Sequence, residues 1–261
     1  MTKRLGATHM QDNSRGTWFS FVKAFTLAEV LITLGIIGVV AAMTIPTLVK
    51  NYQKTVWVNQ LKKSVSILEQ GFQKMLADDG VDKLWDTEFW NLVINKNQYE
   101  TGASLINHNE ILKKYFNIIK SFDEGTYSKN TLGFGYKTLD GKNTYNGCED
   151  AIQIYLADGS LLGLFAHGHG QIYNPTTKHY DIEITDVAVV TMDVNGDKGP
   201  NQWGRDTFYF VLDEKAQLIP IGSKRCQDDQ SLFECSSADD CLTTGSTCAA
   251  RIIENGWKMD Y

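Results

Sequence analysis

The sequence lacks the short motifs that identify several large enzyme classes. It contains no GxSxG nucleophile elbow, no Walker phosphate loop and no HExxH zinc-protease helix. It also lacks an excess of basic charge, since its 261 residues carry a formal net charge of −6. Phosphate binding depends on a basic surface, so this balance argues against a general nucleic-acid-binding role. The sequence therefore predicts a protein that is not an enzyme.

Cysteine is scarce and clustered. Four of the five cysteines lie in the last 36 residues, and their spacing matches neither a zinc ribbon nor a CxxC redox pair. Beyond a membrane anchor, in an oxidising compartment, such a cluster forms disulfides. Three pairings are open; we predict a Cys226–Cys248 bond around a smaller Cys235–Cys241 loop, with Cys148 as the odd thiol. The alternative is a set of reduced, buried thiols in a cytosolic protein.

One apolar run, FTLAEVLITLGIIGVVAAMTIPTLV at 25–49, stands out from the rest of the chain. A bilayer core of about 30 Å needs roughly 20 apolar residues, so this run can span a membrane as a helix. It is too long for an ordinary secretory signal, and no small-x-small cleavage site follows it. Its one charge is Glu29, and an isolated carboxylate in lipid is costly unless it has a partner. A plain signal anchor explains the length but not the acid.

The residues around the start of this run form a specific motif. The sequence KAFTLAE at 23–29 resembles the prepilin cleavage and methylation site of type IV pilins and type II secretion pseudopilins. The resemblance implies that residues 1–24 are a leader, with Met10 as a second candidate start. It implies that a prepilin peptidase cuts between Ala24, where the family usually has Gly, and Phe25. The same enzyme would then methylate the new amine of Phe25.

Cleavage would place that amine four residues from Glu29, about one helical turn away. In the family, the acid guides an incoming subunit onto the filament base, and a buried ion pair of this kind fixes register. The alternative is that Glu29 lies at the headgroup level. The implied partners are copies of the chain or other pilin-like subunits, the prepilin peptidase, the inner-membrane assembly platform and the lipid bilayer. The implied location is the bacterial inner membrane, then a periplasmic or cell-surface filament.

The helical pattern continues beyond the apolar run. Apolar residues recur at steps of three and four through 57–75, and Gly80 suits a C-terminal cap. Pro46 lies inside the run, where it removes a backbone hydrogen bond and bends or locally melts a helix. We predict one helix over 25–77, with a membrane half at 25–49 and an amphipathic half within 50–80.

The remaining residues, 81–261, predict a globular extracytoplasmic head. Short helices are expected at 82–95 and 109–119, and 121–146 reads as a surface loop. Alternating apolar residues predict strands at 151–157, 160–166, 186–194, 207–213 and 217–221. Asp158-Gly159 predicts a two-residue hairpin turn between the first two. The last segment, 248–257, is a short helix ended by Gly256 or a strand. The predicted fold class is α+β, with the long helix packed on an antiparallel sheet.

The sequence DVNGDKGPNQWGRD at 193–206 is the best candidate binding site in the head. Asp193, Asn195 and Asp197 place oxygens at alternate positions, Asp206 can complete the shell, and calcium takes about six to eight oxygens. The sequence is not an EF-hand, because Lys198 stands where that loop needs Gly. It resembles the DxNGxxGPN loop of many pilin-like heads; the major pseudopilins bind calcium through a different head loop. The alternative is a metal-free turn rich in Asx and Gly.

A second metal candidate is the pair His167 and His169, with His179 nearby, which would suit a transition metal. For the whole chain, the sequence predicts a structural subunit of a type IV pilus or a type II secretion pseudopilus. The alternative is a single-pass, membrane-anchored extracytoplasmic binding protein or enzyme. The sequence leaves open which machine such a filament would serve and whether the subunit is major or minor.

Overall fold

A computed structural model of the chain has the predicted α+β fold, a long N-terminal helix followed by an antiparallel sheet. The structure describes the ranges 25–91, 106–122, 135–145, 152–167, 170–174, 179–184, 187–228 and 241–261. The chain divides into two compact units, with the boundary between Leu48 and Val49.

Helix α1 spans Leu27–Asp79 and contains 53 residues. The helix continues through Pro46, although that residue donates no backbone hydrogen bond. It ends in a Schellman motif: Gly80 has a φ of 66°, its amide bonds the Ala77 carbonyl, and the Val81 amide bonds the Leu76 carbonyl. The predicted helix and its glycine stop are therefore present.

The second half of α1 buries the predicted apolar stripe. Of the predicted stripe, Trp57 is half-buried and the following members are buried: Leu61, Val65, Leu68, Phe72 and Met75. Val58, next to Trp57, is buried as well. Phe72 is fully buried, and its ring centroid lies 5.7 Å from that of Phe89 and 5.3 Å from that of Phe116. Each such side chain contributes about 1.5–3 kcal/mol when it leaves water, so this stripe attaches the helix to the head.

Ten strands, three further α-helices and two 3-10 helices, at Leu84–Asp86 and Gly196–Lys198, complete the described fold. The first of these 3-10 helices lies in the predicted helix 82–95, of which residues 92–95 are outside the described ranges. The strands are β1 (Ile118–Phe122), β2 (Tyr136–Lys137), β3 (Thr144–Tyr145), β4 (Ile152–Leu156), β5 (Leu161–His167), β6 (Gly170–Asn174), β7 (His179–Ile184), β8 (Val187–Asp193), β9 (Thr207–Leu212) and β10 (Leu218–Pro220). The helices are α2 (Ile106–Tyr115), α3 (Lys224–Asp228) and α4 (Cys248–Glu254). Six strands form one antiparallel sheet in the order β1-β4-β5-β8-β9-β10, while β2–β3 and β6–β7 are separate hairpins.

The five predicted strands correspond to β4, β5, β8, β9 and β10, and the last segment is a helix. The hairpin between β4 and β5 is present, but Leu156 and Ser160 pair across a three-residue turn instead of the predicted two. The strand β1 was missed, because Ile118 and Ile119 also fit the helical pattern predicted for 109–119. The hairpin β2–β3 lies within the predicted loop. Its strands have two residues each, too few to show alternation.

The predicted disulfide pairing is wrong. Cys241 is bonded to Cys248, with the two Cα atoms 4.7 Å apart. This bond excludes both predicted pairs, because each of them needs either Cys241 or Cys248. Cys226 is also disulfide-bonded, and the other two cysteines, Cys148 and Cys235, lie outside the described residues. The turns at 241–247 bring Cys248, the first residue of α4, back to Cys241. Spacing along the chain cannot show such a return.

Candidate functional sites

The first candidate site is the start of α1. The Thr26 amide and hydroxyl both donate to Glu29 Oε2 at 2.8 Å, and the Glu29 amide donates to Thr26 Oγ1 at 3.2 Å. This reciprocal arrangement is a capping box, in which an N-cap threonine and a glutamate three residues later satisfy each other's backbone amides. The signature T-x-x-E is visible in the sequence, and the sequence analysis overlooked it.

The capping box changes how Glu29 is understood. The acid lies in the first turn of α1 and has hydrogen-bond donors in its own chain, so it is not an isolated carboxylate. A helix of any function can begin this way, and the acid by itself therefore distinguishes a filament subunit less sharply than the sequence analysis assumed. Ala24 and the leader lie outside the described residues.

The apolar half of α1 has no cover from its own unit. From 25 to 49 every residue is exposed except the half-buried Ala41, and the exposed fraction is 84% for Phe25 and 74% for Met43. An 18-residue window of this helix has a mean hydropathy of 2.2 and no buried residue. By length and composition the helix can cross a membrane, as expected for a membrane anchor or a signal sequence.

The second candidate site is the 193–206 loop, which joins two neighbouring strands. Asp193 is the last residue of β8 and pairs with Thr207, the first residue of β9. The loop therefore leaves and re-enters the sheet at the same place, which brings Asp206 close to Asp193. Both aspartates are fully buried.

The two carboxylates bond the backbone of their own loop. Asp206 accepts the amides of Gln202 and Asn201 at 2.7 Å and 2.9 Å. Asp193 accepts the Asn195 amide at 3.1 Å. The Asp193–Asn195 contact is an Asx turn, and the two Asp206 contacts close the loop back onto residues 201 and 202, so both acids have a structural role in the described structure.

Burial sets the charge state of this pair. Removal from water raises the pKa of Asp193 well above its usual range, and the negative charge of Asp206 raises it further. Burial also raises the pKa of Asp206, while the amides of Gln202 and Asn201 oppose that rise. Among the described residues, neither carboxylate has a salt-bridge partner. Two adjacent buried acids without a cation favour either a proton or a bound cation.

Two amide oxygens in the same loop have no hydrogen-bond donor. Asn195 Oδ1 and Asn201 Oδ1 are both buried and accept no hydrogen bond from the described part of the chain. The Asn195 amide group donates to the Gly199 carbonyl at 2.9 Å, and its side chain also hydrogen-bonds Asp206. Carboxylate and amide oxygens are the ligands of a hard cation, so the donor types fit calcium.

Three of the four predicted calcium ligands of the 193–206 loop are hydrogen-bonded to one another or to the same loop, and the fourth, Asp197, has a different partner. Asp193, Asn195 and Asp206 are connected by the contacts above, and Asn201 joins them without having been predicted. Asp197 is exposed and hydrogen-bonded by the Tyr155 hydroxyl. No group of three or more acidic, His or Cys side chains suited to a metal occurs in the described ranges. A cation here would therefore rely on amide and backbone carbonyl oxygens.

The transition-metal site at His167, His169 and His179 stays a prediction. His167 lies in β5 and His179 in β7, but their side chains and all of His169 lie outside what the structure describes.

Comparison of the chain with protein-family models, with curated proteins and with solved structures finds no match. The structure shows a long apolar N-terminal helix followed by an antiparallel sheet. That architecture is pilin-like.

Proposed function

We propose that this chain is a structural subunit of a type IV pilus or a type II secretion pseudopilus. The observation that carries the proposal is the exposed apolar half of α1, at 25–49, joined to a folded head. An apolar surface of this size needs lipid or other helices around it. The inner membrane would cover it before assembly, and the helices of other pilin-like subunits would cover it in a periplasmic or cell-surface filament.

In this proposal a prepilin peptidase removes residues 1–24 and methylates Phe25. The position of Phe25 supports this step, because it is exposed and precedes the first helical residue, Leu27. The new amine would then reach Glu29 of a neighbouring subunit as the assembly platform adds it to the filament. Pro46 would let the helix adapt during this transfer, since it leaves one backbone carbonyl unbonded.

The capping box supports a second candidate, a membrane-anchored extracytoplasmic binding protein or enzyme. In that case Thr26 and Glu29 simply start the anchor helix, and no cleavage at Phe25 takes place. The two candidates predict different N-termini and different consequences of removing the Glu29 charge.

The first experiment is mass spectrometry of the chain produced in a bacterium that has a prepilin peptidase. We expect a mature N-terminus at methylated Phe25. A strain without the peptidase is the control and should keep the leader. A mature protein that keeps the leader, or begins elsewhere, in the peptidase-positive strain would contradict the proposal.

The second experiment replaces Glu29 by Gln, which removes the charge but keeps an oxygen for the Thr26 donors. We expect Glu29→Gln to stay in the membrane and to be lost from filaments, since a neutral amide cannot form an ion pair with the protonated amine. Glu29→Asp, which keeps the charge, is the matched control. Normal filament incorporation of Glu29→Gln would reject the role assigned to the Glu29 charge, whereas absence of the parent chain from filaments would support the anchored-protein candidate.

We further propose that the 193–206 loop binds calcium, held by Asp193, Asp206, Asn195 and Asn201. The buried, unbonded amide oxygens support this proposal. Bound calcium would neutralise the carboxylate pair and stabilise the folded head, by about 2.7 kcal/mol when its concentration is 100 times the Kd.

Calorimetric titration of the full chain in detergent tests the calcium proposal. We expect binding heat in the parent protein and none in Asp193→Asn. Asp197→Asn is the matched control within the loop, and it should still bind because Tyr155 holds that side chain elsewhere. A parent protein that neither releases heat nor gains thermal stability with calcium would reject the proposal.

A further inference from the structure

The disulfide-bonded segment 241–248 contacts two other parts of the head. The amides of Leu139 and Asp140, in the turn of the β2–β3 hairpin, donate to the carbonyls of Thr244 and Thr243 at 3.1 Å each. The hairpin is too short to be stable by itself, because it pairs only two residues on each side. Its order therefore depends on the segments that it contacts.

The same segment also packs against the 193–206 loop. A Cβ atom on Gly245 would lie 2.3 Å from the Trp203 carbonyl oxygen, and one on Gly204 would lie 2.6 Å from Cys248 Sγ. The disulfide sulfur is thus in direct contact with the turn at 203–204. Glycines at 204 and 245 let the two segments approach this closely. The Cys241–Cys248 disulfide joins the two ends of 241–248 and so holds that segment in the conformation that makes the contact.

The loop and the hairpin are bonded to each other as well. Lys137 donates its amide to the Asn201 carbonyl and accepts the Trp203 amide, both at 2.9 Å. The Gln202 side chain donates to the carbonyls of Thr138 and Leu139 at 2.8 Å and 2.9 Å. The three segments therefore form one hydrogen-bonded group at the end of the main sheet where β8 leads into the 193–206 loop.

We infer that the Cys241–Cys248 bond is a redox-sensitive clasp, which orders 136–145 and 199–206 only when it is formed. Bond formation takes two protons and two electrons from the two thiols; a disulfide-bearing oxidant accepts them by thiol–disulfide exchange and becomes a dithiol. Strands β8 and β9 remain folded either way, because the helix-packed core holds them. Opening is consequently local.

Through this disulfide, the order of the 193–206 loop follows the redox state of the compartment. In a reducing compartment the two thiols do not fix the path of 241–248. Residues 199–206 then lose their contacts with that segment and with the hairpin, so Asn201 is no longer held beside the two acids. In an oxidising compartment the loop closes against the disulfide. This inference depends on neither the filament role nor calcium binding.

Hydrogen exchange of the full chain in detergent, read by mass spectrometry, tests the clasp. In the double variant Cys241→Ser/Cys248→Ser we expect amides at 136–140 and 201–206 to exchange at least about tenfold faster, while β8 and β9 stay protected. The matched control is Cys226→Ser, which breaks a different disulfide and should leave 201–206 protected. Unchanged exchange at 136–140 and 201–206 in the double variant would overturn the inference.

A second measurement keeps the test decisive if the double variant does not fold. The parent chain is exchanged before and after treatment with a dithiol reductant, and thiol labelling of Cys241 and Cys248 shows when their bond is open. We expect 136–140 and 201–206 to exchange faster only after reduction, while β8 and β9 remain protected; Cys226→Ser, treated in the same way, is the control for the other disulfide. Unchanged exchange of 201–206 after reduction would overturn the inference.

Discussion

The two halves of α1 are both rich in apolar residues, but their surroundings differ completely. Between 58 and 76 the apolar side chains form a stripe that the head buries, with polar residues on the remaining faces. Between 25 and 49 apolar residues occupy every face, and the chain leaves them exposed. A stripe is satisfied by one packing surface, whereas a helix that is apolar all round needs an apolar environment on every side. The first half therefore needs an apolar environment that its own unit does not supply, whereas the second half has that environment in the head.

The comparison also separates two kinds of glycine. Gly71 lies against the Phe116 ring, where a Cβ atom would come within 2.1 Å of a ring carbon. Gly35 and Gly38, in the exposed half, have no atom within 4 Å of a Cβ position. In the head, glycine is required by a contact already present; in the exposed half, only a contact with another molecule would require it.

The largest expected difference between the halves comes from truncating matched apolar residues. Phe72→Ala should cost about 3–5 kcal/mol of head stability, because it leaves a cavity between Phe89 and Phe116. Ile37→Ala, in the exposed half, should leave the unfolding of the head unchanged. Denaturant unfolding in detergent, followed by near-ultraviolet circular dichroism, measures both. A loss below about 1 kcal/mol for Phe72→Ala would mean that the core is misplaced.

The glycine pair gives the next largest effect. Gly71→Ala should destabilise the head by about 1–3 kcal/mol, because the buried Phe116 ring must move. Gly38→Ala should instead raise the helicity of the isolated subunit, since Ala is favoured over Gly by about 1 kcal/mol in a helix. Thermal unfolding and far-ultraviolet circular dichroism give the two readouts. Equal tolerance of both substitutions would break the distinction between the halves.

A smaller effect should appear as a pH dependence confined to the head. Since burial raises the folded-state pKa of Asp193 and Asp206, the folded state binds more protons than the unfolded state above the ordinary Asp pKa. In the presence of a chelator, head stability should therefore fall as the pH rises from about 4 to about 7. Asp193→Asn should reduce this slope. A parent and a variant with identical melting profiles over this range would contradict the expectation.

The smallest effect should occur at the start of α1. Thr26→Val removes the hydroxyl that donates to Glu29 and accepts from its amide. We expect several-fold faster amide exchange at 27–30 in detergent and no change in the head. Thr26→Ser keeps the hydroxyl and is the control. If the amides at 27–30 exchange at the same rate in Thr26→Val and Thr26→Ser, the capping box does not stabilise the start of α1.

Most of the fold could be predicted because its signals are local. The apolar steps of α1, the Gly80 stop and the alternation of β4, β5, β8, β9 and β10 are all visible in consecutive residues. The strand β1 could not be separated from a helix, since the pair Ile118-Ile119 fits both patterns. The β2–β3 hairpin has no periodic pattern, and its order comes from contacts with residues more than sixty positions away.

The candidate sites divide in the same way. The motif at 23–29, the length of the apolar run and the oxygen-rich composition of 193–206 could be recognised by inspection, as could the missed capping box. The two buried amide oxygens of Asn195 and Asn201, which accept no hydrogen bond from the described residues, could not be predicted. The sequence does not show which donors lie near a side-chain oxygen in the folded loop.

By itself, the sequence determined that one helix must have an apolar environment and that a sheet-containing head follows it, because periodicity and composition act over neighbouring residues. The tertiary structure alone decided two further matters. It showed that Cys241 is the partner of Cys248 and that Asp197 is held by Tyr155. Each of these depends on a distance between side chains, and that distance is set only when the turns and the core have placed the backbone.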